Sequence, residues 1–223
     1  GPGTLAVRLA PRVRRVIAVD FAEVMIERLR GHVMRSKLPN LEARLMNGQE
    51  LEFEDGSFDA AVSLFGVFLF DDRKQGLVEM SRVVAPGGRA VVSSWAPPEQ
   101  NTMIGAGMEA LRAALPDLPR PKGPLPTQQP DVCWAELEAV GFEGVESQLL
   151  RLPLRYESAA RYWQDFERSA APLVVLKQRL GDDAYADAMS RVQGELRARY
   201  ADGPLELECC AILTFGERPR SAA

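Results

Sequence analysis

Val16-Ile17-Ala18-Val19-Asp20-Phe21-Ala22-Glu23-Val24-Met25 decides the fold. Four apolar, mostly β-branched residues close on an acid, and a helical pattern starts at once behind them. Residues 14–20, which end on this acid, read as the first strand of a parallel sheet. The residues that follow repeat Met25, Leu29 and Val33 every four positions, so residues 22–35 are expected to form an amphipathic helix lying on that sheet. Strand, acid, helix is half of a βαβ unit. In open sheets of such units, ligands bind at the carboxyl ends of the strands, where Asp20 stands.

Working outward, the alternation continues. Residues 41–46 read as a second strand. Asp55-Gly56 marks a turn, and the apolar run at 58–65 reads as a third strand. Residues 72–84 return a helix that buries Leu77, Met80 and Val84. Pro86-Gly87-Gly88 is expected to stop that helix and turn the chain into a fourth strand at 89–95. Strict alternation over this length predicts an α/β fold with a doubly wound, mostly parallel sheet.

Beyond Trp95 the pattern loosens. A helix is expected near 103–115, then a proline-rich loop or lid hinge at 116–130. Asp131 is expected to cap a short helix that Gly141 ends. Residues 145–156 and 205–215 look like two long strands, separated by helical patterns at 158–180 and 182–200. Two strands split by an inserted helical segment predict an antiparallel C-terminal edge with a helical cap. The expected division is therefore a cofactor-binding core at 1–96, and a C-terminal part at 97–223 whose cap helices fall at about 97–130 and 157–203.

Composition narrows the chemistry. A chain of 223 residues with 46% hydrophobic content can bury a full core. Net charge is -4 and the pI is near 5.3, which offers no basic field for nucleic acid. A small or neutral ligand is favoured over a phosphate backbone. Cys133, Cys209, Cys210 and the single histidine, His32, spell neither a disulfide framework nor a zinc site, and no metal is expected. No apolar run is long enough to cross a bilayer and no leader pattern is legible, so a cytoplasmic protein is expected.

Two further elements belong with Asp20. Gly1-Pro2-Gly3-Thr4 precedes a short helical stretch and lies about as far before Asp20 as a glycine-rich loop lies before its ribose acid. Glycines let backbone approach a ligand closely. Gly1-Pro2 equally suits a protease-cleavage remnant, and Asp20 equally suits an ordinary helix cap. Asn47-Gly48-Gln49 follows the second strand and can offer an amide to an adenine edge, though an Asn-Gly pair also makes a plain turn.

Together these elements resemble the class I S-adenosylmethionine-dependent methyltransferases, and within them the branch of ubiquinone and menaquinone biosynthesis. Gly1-Pro2-Gly3-Thr4 is similar to the tail of that family's first motif, and Val19-Asp20-Phe21-Ala22-Glu23-Val24-Met25 to the stretch after it. Ala22 stands where Ser is usual, and Asn47 where Asp is usual. Ser57-Phe58-Asp59-Ala60-Ala61-Val62-Ser63-Leu64-Phe65-Gly66 resembles the fourth-strand motif, and Val84-Ala85-Pro86-Gly87-Gly88-Arg89 the turn before the fifth strand. Five ordered signposts run from residue 1 to Trp95. For the final third the likeness is architectural only.

The resemblance implies a Rossmann-like fold and S-adenosylmethionine as cofactor. It implies Gly1, Gly3, Asp20, Phe21, Met25, Asn47, Gly48, Gln49, Leu64 and Phe65 as its contacts, with Asp20 on the ribose. No universal catalytic residue follows, because a sulfonium methyl is already activated and transfer needs mainly in-line approach with water excluded. Phe65, Phe68 and Phe70 suit either a face for the sulfonium cation or plain core. His32 is expected to pack rather than to act as a base. Cys209-Cys210 alternates across a strand, and burial is expected there too. Trp95, Tyr162, Trp163 and Phe166 are expected to line a pocket for a small, hydrophobic methyl acceptor, with packing the competing role. A homodimer is left open.

Two other readings compete with this one. A nicotinamide-dependent oxidoreductase shares the strand-end acid, but the chain has no Tyr-x-x-x-Lys pair and lacks the third glycine of the dinucleotide fingerprint. A non-catalytic relative that uses the fold for binding or assembly fits the incomplete glycine loop. The family's first strand precedes those glycines, so a few dozen upstream residues are expected to be absent from this sequence, since a sheet without its central strand exposes unpaired edges.

Overall fold

Strands of five to twelve residues alternate with helices through the first 95 residues, and a computed structural model describes how they assemble for residues 1–118, 128–200 and 203–220. The expected 116–130 loop lies largely outside the described residues. The chain divides into two compact units. The first comprises Gly1–Ser94, Pro130–Gln148 and Leu213–Ala223, and the second Trp95–Gln129 and Leu149–Ile212.

In the first unit, α1 (Thr4–Leu9) and a 3₁₀ turn lead into β1 (Val16–Asp20), α2 (Glu23–Ser36) and β2 (Leu41–Leu45). Strands β1 and β2 pair in parallel, Val16 opposite Leu41 and Asp20 opposite Leu45. Helix α2 buries Ile26 and Leu29, and Leu29 packs with Ala6, Ala10 and Leu41 into a small core. Next come β3 (Phe58–Leu64), a 3₁₀ turn at Val67–Leu69, α3 (Arg73–Val83) and β4 (Val84–Trp95). Strands β3 and β4 are parallel as well. Leu77, Met80, Val84, Val92, Leu137 and Phe142 form the core beneath them.

The strands form two sheets, β1-β2 and β3-β4-β6-β5, where β5 is Glu143–Tyr156 and β6 is Leu205–Glu217. Strands β1 and β3 therefore do not pair with each other. An exposed Arg14–Asp59 ion pair at 3.4 Å joins the region before β1 to the start of β3. At the opposite ends, the loop after β2 meets the turn after β3, because a Cβ placed on Gly48 would lie 2.5 Å from Phe70 Cζ. The two sheets thus run side by side in the same sense.

Strand β6 is antiparallel to both its neighbours. Gly87 faces Arg218 whereas Ala96 faces Cys210, and Ser147 faces Thr214 whereas Arg151 faces Glu208. The sheet is thus parallel in its early strands with an antiparallel C-terminal edge.

Three local expectations are corrected. Pro86-Gly87-Gly88 does not precede β4 but lies within it. The register jumps from Phe58 opposite Val84 to Ala60 opposite Arg89, so the three residues bulge, and Gly87 and Gly88 bond to Arg218 instead. Asp131 is not a cap: α5 (Pro130–Ala139) starts one residue earlier, with proline in the first helical position, leaving the acid in the first turn. The pattern at 158–180 is two helices, α6 (Ala159–Ser169) and α7 (Ala171–Leu180), broken at an extended Ala170 with Pro172 opening the second.

The second unit holds α4 (Thr102–Ala114), α6, α7 and α8 (Asp182–Arg199). One continuous core runs through it, including Ala110, Leu111, Tyr162, Trp163, Phe166, Ala188, Val192 and Leu196. Asn101 and Ser158 cap α4 and α6 by accepting from the amides of Ile104 and Arg161. Among the described residues, no helix is long and apolar enough to cross a membrane.

Candidate functional site

Asp20 ends β1 with its side chain 18% exposed. One carboxylate oxygen accepts from the Ala22 amide at 2.8 Å, and the other pairs with the amino group of Gly1. The glycine turn and the strand-end acid are therefore at one place. The Asp20 backbone carbonyl accepts from the Met46 amide at 3.0 Å, which ties the end of β1 to the residue before Asn47. Ala22 supplies no capping hydroxyl to α2, and Asp20 bonds that residue's amide directly, which is the turn-forming role open to it.

Gly3 takes a left-handed φ of 83°, and its Cα abuts Leu29, leaving no room for a side chain. Its carbonyl opens α1 by accepting from Val7. His32 Nδ1 lies 3.0 Å from the Pro2 carbonyl, so the ring secures the same turn from α2. The approach to this corner is apolar: Phe21 is 74% exposed and Leu64, at the end of β3, 44%. Met25 is half-buried in the first turn of α2.

Asn47-Gly48-Gln49 forms a tight turn after β2. Asn47 Oδ1 accepts from the Gln49 amide at 3.0 Å and from Gln49 Nε2 at 3.3 Å. Gln49 Oε1 in turn accepts from the Asp72 amide at 2.6 Å. The following loop is held by a group that sequence reading missed. Glu79 is buried on α3 and accepts from the Leu51 amide at 2.7 Å, while Arg82 pairs with it and donates to the carbonyls of Leu51 and Phe53 and to Asp55. The Arg82 guanidinium holds the Glu79 carboxyl below its ordinary range against the opposing effect of burial. The i, i+3 spacing of Glu79 and Arg82 was the available signal.

Phe65 follows β3 with φ 54°, a conformation that costs a bulky residue energy. Two hydroxyls pin the turn. Ser93, buried on β4, accepts from the Phe65 amide at 3.0 Å, and Ser63 accepts from the Val67 amide at 3.1 Å. Phe70 packs against Gly48 and Gly76, the core role among those weighed for it.

The structure places the cap aromatics in the packing role that competed with the pocket reading. Tyr162, Trp163 and Phe166 lie inside the helical core of the second unit, Tyr162 and Trp163 with no exposed surface. Tyr162 spends its hydroxyl on the Met103 carbonyl at 2.6 Å, and Trp163 stacks on Phe166 with centroids 5.6 Å apart. Aromatics at i, i+1 and i+4 fill the buried face of a short helix, and here that face meets other helices. Trp95 is half-buried at the end of β4. Cys210 is buried with its thiol pushed up to about 11, first by burial and then by its bond to Glu208, which makes it a poor nucleophile. Among the described residues, no three His, Cys, Asp or Glu side chains gather to hold a metal.

The donor set at the strand ends fits a nucleoside cofactor. A carboxylate there can accept from a sugar diol, exposed Phe21 and Leu64 offer apolar surface to a heterocycle, and the amide-lined turn at Asn47 can meet a ring edge.

Comparison with known proteins agrees. Residues 1–88 match the family model described as a methyltransferase domain. A demethylmenaquinone methyltransferase of Thermus thermophilus is 38% identical over 102 residues, covering 44% of this chain and 45% of that protein. An uncharacterized protein of Mycobacterium tuberculosis is 27% identical over 217 residues, covering 93% of this chain and 76% of its own length. Among solved structures, the YcgJ protein of Bacillus subtilis superimposes with a TM-score of 0.64 at 19% identity, covering 99% of this chain and 89% of that one. Phosphoethanolamine N-methyltransferase 2 of Haemonchus contortus, solved with S-adenosylhomocysteine, gives a TM-score of 0.56 at 15% identity, covering 99% and 47%. The ordered signposts and the α/β architecture thus point the same way: the first 88 residues match a methyltransferase domain, and the whole chain shares its fold with a solved methyltransferase, while the strand-end donors fit S-adenosylmethionine as cofactor.

Proposed function

We propose that the protein methylates a small hydrophobic acceptor, with the donor's ribose on Asp20, its adenine against Asn47-Gly48-Gln49, and its methyl end toward Leu64 and Phe65. The observation that supports this most directly is the Asp20 carboxylate at the carboxyl end of β1, with its backbone carbonyl bonded to the residue before Asn47. A bound cofactor supplies an activated methyl group, so the protein's own task is placement. Asp20 orients the sugar, Gly3 lets the backbone come close, and Phe21 and Leu64 withdraw apolar surface from water when covered.

The hydrophobic acceptor is supported by the relatives. The Thermus thermophilus protein is a demethylmenaquinone methyltransferase, and a Geobacter sp. relative at 35% identity over 102 residues is a ubiquinone/menaquinone biosynthesis C-methyltransferase. Each match spans under half of either chain, so the acceptor is our inference for this one.

Calorimetry with S-adenosylhomocysteine tests the donor site. Wild-type protein is expected to bind it, and Asp20→Ala to bind far more weakly. Methyl transfer to a reduced naphthoquinone, compared with transfer to a polar amine, tests the acceptor. Turnover of the amine alone would overturn the hydrophobic assignment.

A further inference from the structure

Between the turn after β2 and the start of α3 lies a contact that the donor site does not itself explain. Phe70 leaves the turn after β3 and lays its ring against two Cα atoms that both lack side chains. A Cβ on Gly48 would stand 2.5 Å from Cζ of that ring, and a Cβ on Gly76, in the first turn of α3, 2.5 Å from Cε2. No real Cβ tolerates either distance, so the ring fits only because both positions are glycine. One glycine belongs to the turn assigned to adenine, and the other to a buried helix position.

A polar fastening runs beside the ring. Gln49 Oε1 accepts from the Asp72 amide at 2.6 Å, the Gln49 carbonyl accepts from Gln75 Nε2 at 3.4 Å, and Asp72 caps α3 by accepting from the Gln75 amide at 2.9 Å. The same Gln49 donates to Asn47 Oδ1. The turn is thus held on one side by a wedged ring and on the other by two hydrogen bonds to a capped helix N-terminus, with Asn47 held by Gln49. Nothing else in the chemistry of methyl transfer calls for Gln75 or Phe70.

We propose that Phe70 and Gln49 are positioning residues for base selectivity: they clamp the Asn47 turn to α3 so that it discriminates the adenine edge from other purines. This rests on the assignment of that turn to adenine under the proposed function. A preformed turn rejects a base with a changed edge because its polar groups are left unpaired, whereas a loosened turn adapts to either base. Loosening should therefore change discrimination as well as affinity.

The test compares calorimetric dissociation constants for S-adenosylhomocysteine and for S-inosylhomocysteine, in which the 6-amino group is replaced by oxygen. Wild type is expected to prefer the adenine form. In Gln49→Ala, a surface change, and in Gly76→Ala, which drives a methyl into the ring, that preference should fall by about tenfold. Adding Phe70→Leu to Gly76→Ala, which gives the methyl a movable neighbour, should restore much of it. Thermal melts identify any variant that fails to fold, and Gln49→Ala carries the test if Gly76→Ala does so. Equal weakening of both ligands, with the preference unchanged, overturns the clamp while leaving the donor site intact. No binding of S-adenosylhomocysteine by wild type overturns the donor site and the clamp together.

Discussion

The two units of the chain use their aromatic and polar residues in opposite ways. In the first, polar groups gather at strand ends, apolar side chains such as Phe21 and Leu64 stay exposed, and the buried cores on either side are small. In the second, four helices close over one large core, and the aromatic residues go inside it. The difference teaches that aromatic content by itself does not mark a binding surface. Phe21, exposed beside an acid, has the setting of a ligand contact. Trp163, buried among helices, has the setting of a core residue.

The contrast can be broken or sharpened. Its strongest test is Trp163→Ala, which should cost about 3–5 kcal/mol of stability in chemical denaturation by leaving a core cavity. Affinity for S-adenosylhomocysteine should move less than twofold; parallel loss of both would erase the distinction. The indole nitrogen of Trp163 is a buried donor without a hydrogen-bond partner, so Trp163→Phe should be far milder than the alanine variant. If it instead weakened acceptor turnover at an unchanged melting temperature, the packing role would have to yield to recognition.

Asp20→Ala inverts the pattern. Cofactor affinity should drop by about 1.5–3 kcal/mol for each charge-assisted bond lost, with a smaller change in stability from the freed Ala22 amide. Ser93→Ala comes next. Removing the hydroxyl takes away its bond to the Phe65 amide beside a strained backbone, at about 1–2 kcal/mol, measurable by denaturation.

The smallest effect is expected on the surface of β2. Hydrogen bonds from Arg44 and Arg15 hold the Glu42 carboxyl at about 2, below its ordinary 4.5. A lowered carboxylate pKa stabilises the fold above the ordinary value and ceases to do so as pH falls through the lowered one. The melting temperature of wild type should therefore exceed that of Glu42→Gln near neutral pH. The gap should narrow below pH 4.5 and close near pH 2. A gap that widened on acidification would contradict the pairing.

Much of the fold was legible because local pattern and tertiary role agree in the first unit. The run ending at Asp20 reads as a strand and is one, and the helix expected at 72–84 is found at Arg73–Val83. Legibility failed where the deciding partner was distant in sequence. Pro86-Gly87-Gly88 has every mark of a turn, but Arg218 supplies bonds that carry the strand through it. The clamp on the Asn47 turn depends on Gly76, which inside a helix pattern signals only weak propensity. The cap aromatics show a third kind of failure: helical periodicity reports that a face is buried, never whether protein or ligand covers it.

The left-handed backbone of Phe65 also bears on protein engineering. A bulky residue held in that conformation is a place where the sequence does not maximise thermal tolerance, since glycine there would relieve the backbone. A directed-evolution campaign selecting only for heat resistance would be drawn to residue 65, and the ring it discarded would be one assigned here to the methyl-donor corner. Libraries meant to toughen this enzyme should keep that codon fixed.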